Sequence, residues 1–275
     1  MEKLFNNILL PIYFNRQAEF MVEKAVHFAN HLQCNLHLLH VIPVTPLSKL
    51  LNSVCELLGI RETHTAIKQE VYRWQTKFAR QLKKGQLLFI NLEKGDPGEK
   101  ISQYIESHDI DMLLTDERLH FLPGFSQPAN TSAQNLHFAI LTMAAQLEFQ
   151  RIKTIVLPIG RNLFLNKLRV AAYLAKESGA AIHLVAIETE EESKYELSYM
   201  TKAFRILKDN TNIPVVCTTL NKGNNAGAAL IKYGEKVKAD LIIVNPQVLN
   251  ILRRQHRRLF HKTNSNESLP ILAVD

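Results

Sequence analysis

The sequence predicts an α/β protein built from two copies of one doubly wound fold. Three observations carry this prediction. Five sequence blocks recur in the same order, each block is a short apolar run without alternation, and amphipathic helical segments lie between the runs. At 275 residues, the chain is long enough for two ordinary domains.

The repeat divides the chain near its middle. The matching blocks are 7–15 with 154–162, 36–41 with 182–187, 94–96 with 222–224, 111–114 with 240–243, and 138–141 with 269–272. The first copy is longer, mostly between Val44 and Leu87. We therefore expect two domains, 1–149 and 150–275, with little or no linker between them.

The blocks read as strands and the segments between them as helices. Short runs of Ile, Val and Leu without alternation are typical of strands buried on both faces of a parallel sheet. Helical spacing of apolar residues follows the first strand of each copy, at Ala18, Met21, Val22, Ala25, Phe28, Ala29 and Leu32, and at Phe164, Leu168, Ala171, Leu174 and Ala175. Regular alternation of strand and helix predicts a right-handed, doubly wound parallel sheet in each copy.

Composition narrows the class of protein. Hydrophobic residues make up 46% of the chain and charged residues 21%, which is typical of a globular domain. The longest apolar runs are too short for a membrane span, and the N-terminus leads directly into a strand, so we expect a cytoplasmic protein without a membrane partner. Three cysteines without paired spacing favour reduced thiols, and Cys34 and Cys217 are expected to be buried.

Several segments, in the same order in both halves, resemble the universal stress protein (UspA) family. The first strand with Pro11, the strand end at His40-Val41, and the segments 92–97, 239–244 and 269–274 are similar to that family's motifs. The resemblance implies a Rossmann-like (adenine nucleotide alpha hydrolase-like) domain with five parallel strands. It also implies that domains pair through their last strands, so that the two halves form an intramolecular pseudo-dimer, and a role in stress tolerance.

ATP-binding members of that family carry an acidic residue after the first strand and the pattern G-x2-G-x9-G-[ST] after the fourth. Glycines there let backbone N–H groups approach the phosphates, and a helix N-terminus adds a favourable dipole. In this chain Tyr13 and Gly160 stand at the acidic positions, while Asp116 and Asn245 follow the fourth strands. The positions equivalent to the nucleotide site are Pro11, Ile12, Tyr13, Val41, Gly95 and Asp116, and Pro158, Ile159, Gly160, Ile187, Gly223 and Asn245.

Neither half is therefore expected to bind ATP in the family's manner, and no cofactor is predicted. Two carboxylates, Asp116 and Glu117, would repel phosphates in the first copy. Pro246 removes a backbone donor in the second. The alternative is a protein that binds ATP or AMP through an altered phosphate loop, with slow ATP hydrolysis.

Two groups of charged or titratable residues can be considered as an anion site and as a metal site. Arg253, Arg254, Arg257 and Arg258 share a helical face and could bind an anion, although such a run is more often a solvated face. No aromatic residues are interleaved with these arginines, so a nucleic-acid partner is not expected. His37 has a counterpart in His183, which favours satisfied core histidines, and no metal site is predicted.

The extra length of the first copy has two interpretations. Residues 47–84 predict two helices, the second with Trp74 and Phe78 on its apolar face. This region either covers the sheet or forms a surface for a protein partner or a homodimer.

No nucleophile–base motif and no phosphate-binding lysine motif occurs in the sequence. The sequence therefore predicts a stress-response protein that acts by binding a ligand or a protein, and not an enzyme. A small-ligand sensor, with a pocket between the first and fourth strands of either half, is a further possibility.

Overall fold

The structure is a computed structural model, and it divides into two compact units, Phe5–Gln127 and Pro128–Asp275 together with Met1–Leu4. It describes residues 3–13, 16–44, 62–116, 138–143, 151–160, 165–188, 193–221, 225–246, 248–249, 252 and 269–274.

The unit Phe5–Gln127 contains a parallel sheet with helices in the connections. Its strands are β1 (Asn7–Pro11), β2 (Asn35–Pro43), β3 (Leu88–Gly95) and β4 (Met112–Asp116), and its helices are α1 (Arg16–Leu32), α2 (Glu62–Ala79) and α3 (Pro97–Ser107). The strand order is β3-β2-β1-β4, so the first strand lies between the second and the fourth. Its buried Ile8, Leu9 and Leu10 form the centre of the core.

The other unit repeats this arrangement and adds two strands. It contains β5 (Ala139–Met143), β6 (Thr154–Ile159), β7 (Ala181–Glu188), β8 (Val215–Asn221), β9 (Leu241–Val244) and β10 (Ile271–Ala273), with α4 (Leu165–Ser178), α5 (Ser193–Asn210) and α6 (Ala226–Lys236). The order β10-β9-β6-β7-β8 is parallel, and β5 pairs antiparallel with β10. The last strand of the first repeat thus hydrogen-bonds to the last strand of the second, as the resemblance implied.

Equivalent polar contacts anchor both copies. The carboxylate of Asp111 accepts hydrogen bonds from the backbone N–H groups of Asn6 and Asn7, at 2.6 and 2.9 Å. Asp240 accepts the corresponding bonds from Lys153 and Thr154, at 2.8 and 3.0 Å. In each copy, one aspartate before the fourth strand therefore fixes the entry into the first strand.

The helix after the third strand also begins in the same way in both copies. Asp96 caps α3 by accepting from the N–H of Glu99 at 2.9 Å, and Asn225 caps α6 by accepting from Ala228 at 3.1 Å. The cap is thus Asn225, one residue after the Asn224 that the block match paired with Asp96. Residues 222–224 lie outside the described part.

One expectation about the core is wrong. Cys34 is buried, but Cys217 is exposed. Cys217 lies on β8, which is last in the strand order of its unit and therefore has a strand neighbour on one side among the described strands. The predicted boundary at 149/150 stays a prediction, because residues 144–150 lie outside the described part.

No helix in the described part of the chain is both long and apolar enough to cross a bilayer.

Candidate functional site

Each unit has a topological switch point at the first strand of its repeat. The second strand of the repeat lies on one side of that strand and the fourth strand lies on the other. The neighbours of β1 are β2 and β4, and the neighbours of β6 are β7 and β9. Ligands of open parallel sheets bind in the crevice outside the carboxyl ends of the strands at this point. We call the two places the β1/β4 crevice and the β6/β9 crevice.

The predicted site residues of the first copy lie at or near the carboxyl ends of the strands. Pro11 ends β1, Ile12 and Tyr13 follow it, Val41 lies near the end of β2, Gly95 ends β3 and Asp116 ends β4. Gly95 has a φ of +147°, a backbone conformation that favours glycine.

Histidine and tyrosine side chains lie at the β1/β4 crevice. The backbone N–H of Ile12 donates to the carbonyl of Leu39 at 2.8 Å, which extends the parallel pairing beyond β1. Nδ1 of His40 lies 2.9 Å from the carbonyl oxygen of Ile12 and donates to it. The ring of Tyr13 meets His40 edge-on, with centroids 6.0 Å apart, and stays 42% exposed. An aromatic side chain therefore stands where ATP-binding relatives are expected to carry a carboxylate.

In the second copy, Pro158 and Ile159 end β6, Gly160 follows them, and Asn245 comes directly after β9. Gly160 is exposed, and no described atom lies within 4 Å of the position that a Cβ would take there. Ile187 lies near the end of β7. Gly223 and the four arginines, Arg253, Arg254, Arg257 and Arg258, lie outside the described residues, so the predicted anion site stays a prediction.

A lysine that was not among the predicted site residues joins the two strand ends of the β6/β9 crevice. The ammonium of Lys167 donates to the carbonyl oxygen of Pro158 at 2.8 Å and to Oδ1 of Asn245 at 2.9 Å. Its side chain is only 4% exposed. Burial disfavours the charged form and lowers the pKa of Lys167 to about 8.

The signal for this residue was present in the apolar pattern of α4. Lys167 immediately precedes the buried Leu168 and lies one helical turn before the buried Ala171, so it belongs to the face that packs on the sheet. Lysine is rarely buried in proteins, and a lysine on an apolar face therefore indicates a specific polar contact.

The first copy has methionine at the equivalent place. Gln33 and Gly179 follow α1 and α4 with positive φ angles of 56° and 73°, so the two helices end alike. Counting back equally from these two residues aligns Met21 with Lys167, and Met21 is half-buried. At this helix position the second copy therefore has a charged group where the first has an apolar one.

A histidine–tyrosine pair is common to both copies, away from the strand ends. Nδ1 of His37 lies 3.0 Å from the hydroxyl of Tyr104, and Nδ1 of His183 lies 2.9 Å from that of Tyr233. Burial, together with the nearby His108, lowers the pKa of His37 to about 4. His37 is thus a neutral core histidine with a partner at Nδ1, whereas its buried Nε2 has none among the described residues.

The described residues contain no group of three or more His, Cys, Asp or Glu side chains placed to hold a metal ion.

The described part of the 47–84 region covers its own unit. Trp74 and Phe78 on α2 are 1% and 0% exposed, and their rings meet edge-on with centroids 5.8 Å apart. Lys77 joins α2 to α1 through Glu19 and Glu23, at 3.0 and 2.8 Å. These contacts favour the covering role for α2, whereas residues 45–61 lie outside the described part.

Known proteins resemble this chain in part of its sequence and in its fold. The sequence model of the universal stress protein family matches residues 4–119. No curated protein sequence matches the chain.

Three solved structures resemble nearly the whole chain. A universal stress protein from Archaeoglobus fulgidus DSM 4304 is 13% identical with a TM-score of 0.61, covering 98% of both chains. A functionally unknown protein from Pseudomonas aeruginosa PAO1 is 12% identical with a TM-score of 0.57, covering 99% of this chain and 93% of its own. The cytoplasmic domain of a prokaryotic cation chloride cotransporter is 13% identical with a TM-score of 0.51, covering 98% of this chain and 95% of its own. At these identities the likeness concerns the fold.

Proposed function

We propose that the chain acts in the stress response by binding a ligand or a protein partner, without catalysis; the match of the universal stress protein family model to residues 4–119 supports the stress-response part. We also propose that neither crevice binds ATP through a glycine loop.

The contact between Lys167 and Asn245 is the observation that carries this proposal. In a glycine-loop site, the segment after the fourth strand offers backbone N–H groups to phosphates. Here the first residue of that segment is Asn245, whose side chain accepts from the Lys167 ammonium at 2.9 Å. Pro246 then contributes no N–H group. The segment is thus engaged by the protein's own side chain.

The β1/β4 crevice supports the same proposal with different residues. Tyr13 replaces the acidic group, and Asp116 ends β4 at the position where phosphates would require glycine. A carboxylate at that position would repel a polyphosphate.

The competing function is ATP or AMP binding through an altered loop. The exposed Gly160, where no described atom lies within 4 Å of the position that a Cβ would take, favours this function. This function predicts a nucleotide that co-purifies with the protein.

Two measurements decide between these functions. The first is chromatography of the nucleotides released from denatured protein, and the second is the melting temperature with increasing ATP or AMP. We expect no stoichiometric nucleotide and no saturable stabilisation, since a ligand that binds the folded state must raise its stability.

If a nucleotide binds, a matched variant tests whether its site is in the β6/β9 crevice. Gly160→Trp would fill the open space of the β6/β9 crevice. If ATP stabilises the parent protein and Gly160→Trp abolishes the effect, the proposal is wrong and the nucleotide site is in the second copy. If the effect persists in that variant, the proposal is equally wrong and the site lies elsewhere.

A further inference from the structure

The ammonium of Lys167 joins the two strand ends on either side of the β6/β9 crevice. Lys167 is on the helix that follows β6, Pro158 is in β6, and Asn245 follows β9. The distances from Nζ to the Pro158 carbonyl and to Asn245 Oδ1, 2.8 and 2.9 Å, are those of charge-assisted hydrogen bonds. Three separate elements are thus held by one group.

Packing alone does not require this charge. Met21 occupies the equivalent position in the first copy, so an unbranched apolar side chain is sufficient to fill the space between helix and sheet. Burying an ammonium is costly unless it is hydrogen-bonded. The charge of Lys167 is therefore explained by its polar contacts at the strand ends.

The position of the ammonium is also the position that ligands use in this architecture. Ligands lie outside the carboxyl ends of strands at the switch point, in contact with the segments after the first and fourth strands. Pro158 is the second-last residue of β6 and Asn245 directly follows β9, and the Lys167 ammonium connects these two strand ends.

We propose that Lys167 is a built-in tether that holds the two strand ends of the β6/β9 crevice together, with its ammonium joining the positions that a bound ligand would otherwise span. This inference rests on the proposed function for the identity of the crevice. Its test contains no nucleotide, so the two proposals can fail separately.

Hydrogen exchange of backbone amides measures the tether directly. The N–H of Val248 donates to the carbonyl of Asn245 at 3.0 Å and reports on the segment after β9. In Lys167→Met the stem is kept and the ammonium is lost. We expect about tenfold faster exchange at Val248, in line with the loss of a hydrogen bond to a charged group. Lys176→Ala, on the exposed face of the same helix, is the control and should not change the exchange rate there.

Chemical rescue provides a second measurement. Lys167→Ala removes three carbon atoms and the amine, and n-propylammonium also contains three carbon atoms and an amine. We expect n-propylammonium to raise the melting temperature of Lys167→Ala saturably and to restore slow exchange at Val248. Neutral n-propanol should do neither, and the parent protein and Lys176→Ala should not respond to the amine.

Unchanged exchange at Val248 in Lys167→Met would overturn the tether, as would equal rescue of Lys167→Ala by propanol and propylammonium. If Lys167→Ala does not fold, the exchange rate in Lys167→Met decides alone. Stabilisation of the parent protein by ATP would overturn the proposed function and leave this result standing.

Discussion

His37 and Tyr104 share a buried hydrogen bond of 3.0 Å that joins β2 to α3. The second copy repeats it between His183 and Tyr233 at 2.9 Å. Both tyrosines occupy the same position after their helix caps, Asp96 and Asn225. The surroundings differ, because His37 is 4% exposed while His183 is half-buried.

Loss of the tyrosine hydroxyl should therefore destabilise the first copy more than the second. Tyr104→Phe leaves Nδ1 of His37 without this partner, and its Nε2 already has none among the described residues. We expect a loss of about 1–3 kcal/mol in the free energy of unfolding. Tyr233→Phe should cost less, because water can reach the half-buried His183. Urea titration of both variants measures this, and equal losses would contradict it.

The same histidine predicts a dependence of stability on acid pH. The pKa of His37 is about 4 in the folded protein and 6.5 when unperturbed, because burial and then His108 disfavour its charged form. Between these values the unfolded state binds more protons, so stability is fully present above pH 6.5 and falls towards pH 4. The shift corresponds to about 3 kcal/mol.

His37→Gln, which cannot titrate, is the comparison for that experiment. The difference in unfolding free energy between parent and variant should change in favour of the variant as the pH falls. A difference that is constant with pH would show that His37 does not carry the effect.

Lys167 should make the stability of the protein depend on pH in the alkaline range. Its pKa is about 8 when folded and 10.5 when unperturbed, because burial disfavours the ammonium. Between pH 8 and 10.5 the unfolded state binds the extra proton, so the cost of burying the charge disappears as the pH rises. We expect the parent protein to gain about 3 kcal/mol relative to Lys167→Met across this window. Parallel urea titrations at several pH values measure the gain, and parallel stability curves would contradict it.

Substitutions of two aromatic residues on α2 test whether this helix covers its own unit or binds a partner. Trp74 is 1% exposed and Tyr72 is 77% exposed. Trp74→Ala should destabilise its unit by about 3–5 kcal/mol, as for other buried aromatic residues. Tyr72→Ala should change stability by less than about 0.5 kcal/mol.

Light scattering of the Tyr72 variant completes this prediction. We expect an unchanged molar mass, because the apolar side chains of α2 that predicted a partner surface are buried in their own unit. A lower mass for Tyr72→Ala with unchanged stability would instead indicate a partner surface on α2.

Local patterns were sufficient to predict the fold. Runs such as 8–10 and 241–244 are buried strands, because continuous apolar sequence requires cover on both faces of a sheet. The apolar spacing of α1 and α4 predicted their buried faces, and the order of the blocks predicted that both copies have the same topology. Cys217 was predicted wrongly, because the exposure of a strand depends on its place in the sheet and not on its own sequence.

Local sequence patterns account for the duplicated α/β fold and the residues at the strand ends, and the family resemblance accounts for the replaced acidic and glycine positions. The tertiary structure adds a contact between the strand ends that no local pattern shows. Lys167 and Asn245 are 78 residues apart in the chain, and their hydrogen bond exists because β6 and β9 are neighbours in the sheet. Local periodicity records which face of a helix is apolar, but the partner of a buried charge is set by contacts between distant segments. For that reason the sequence predicted a lost nucleotide site, and the structure shows a lysine joined to its two strand ends.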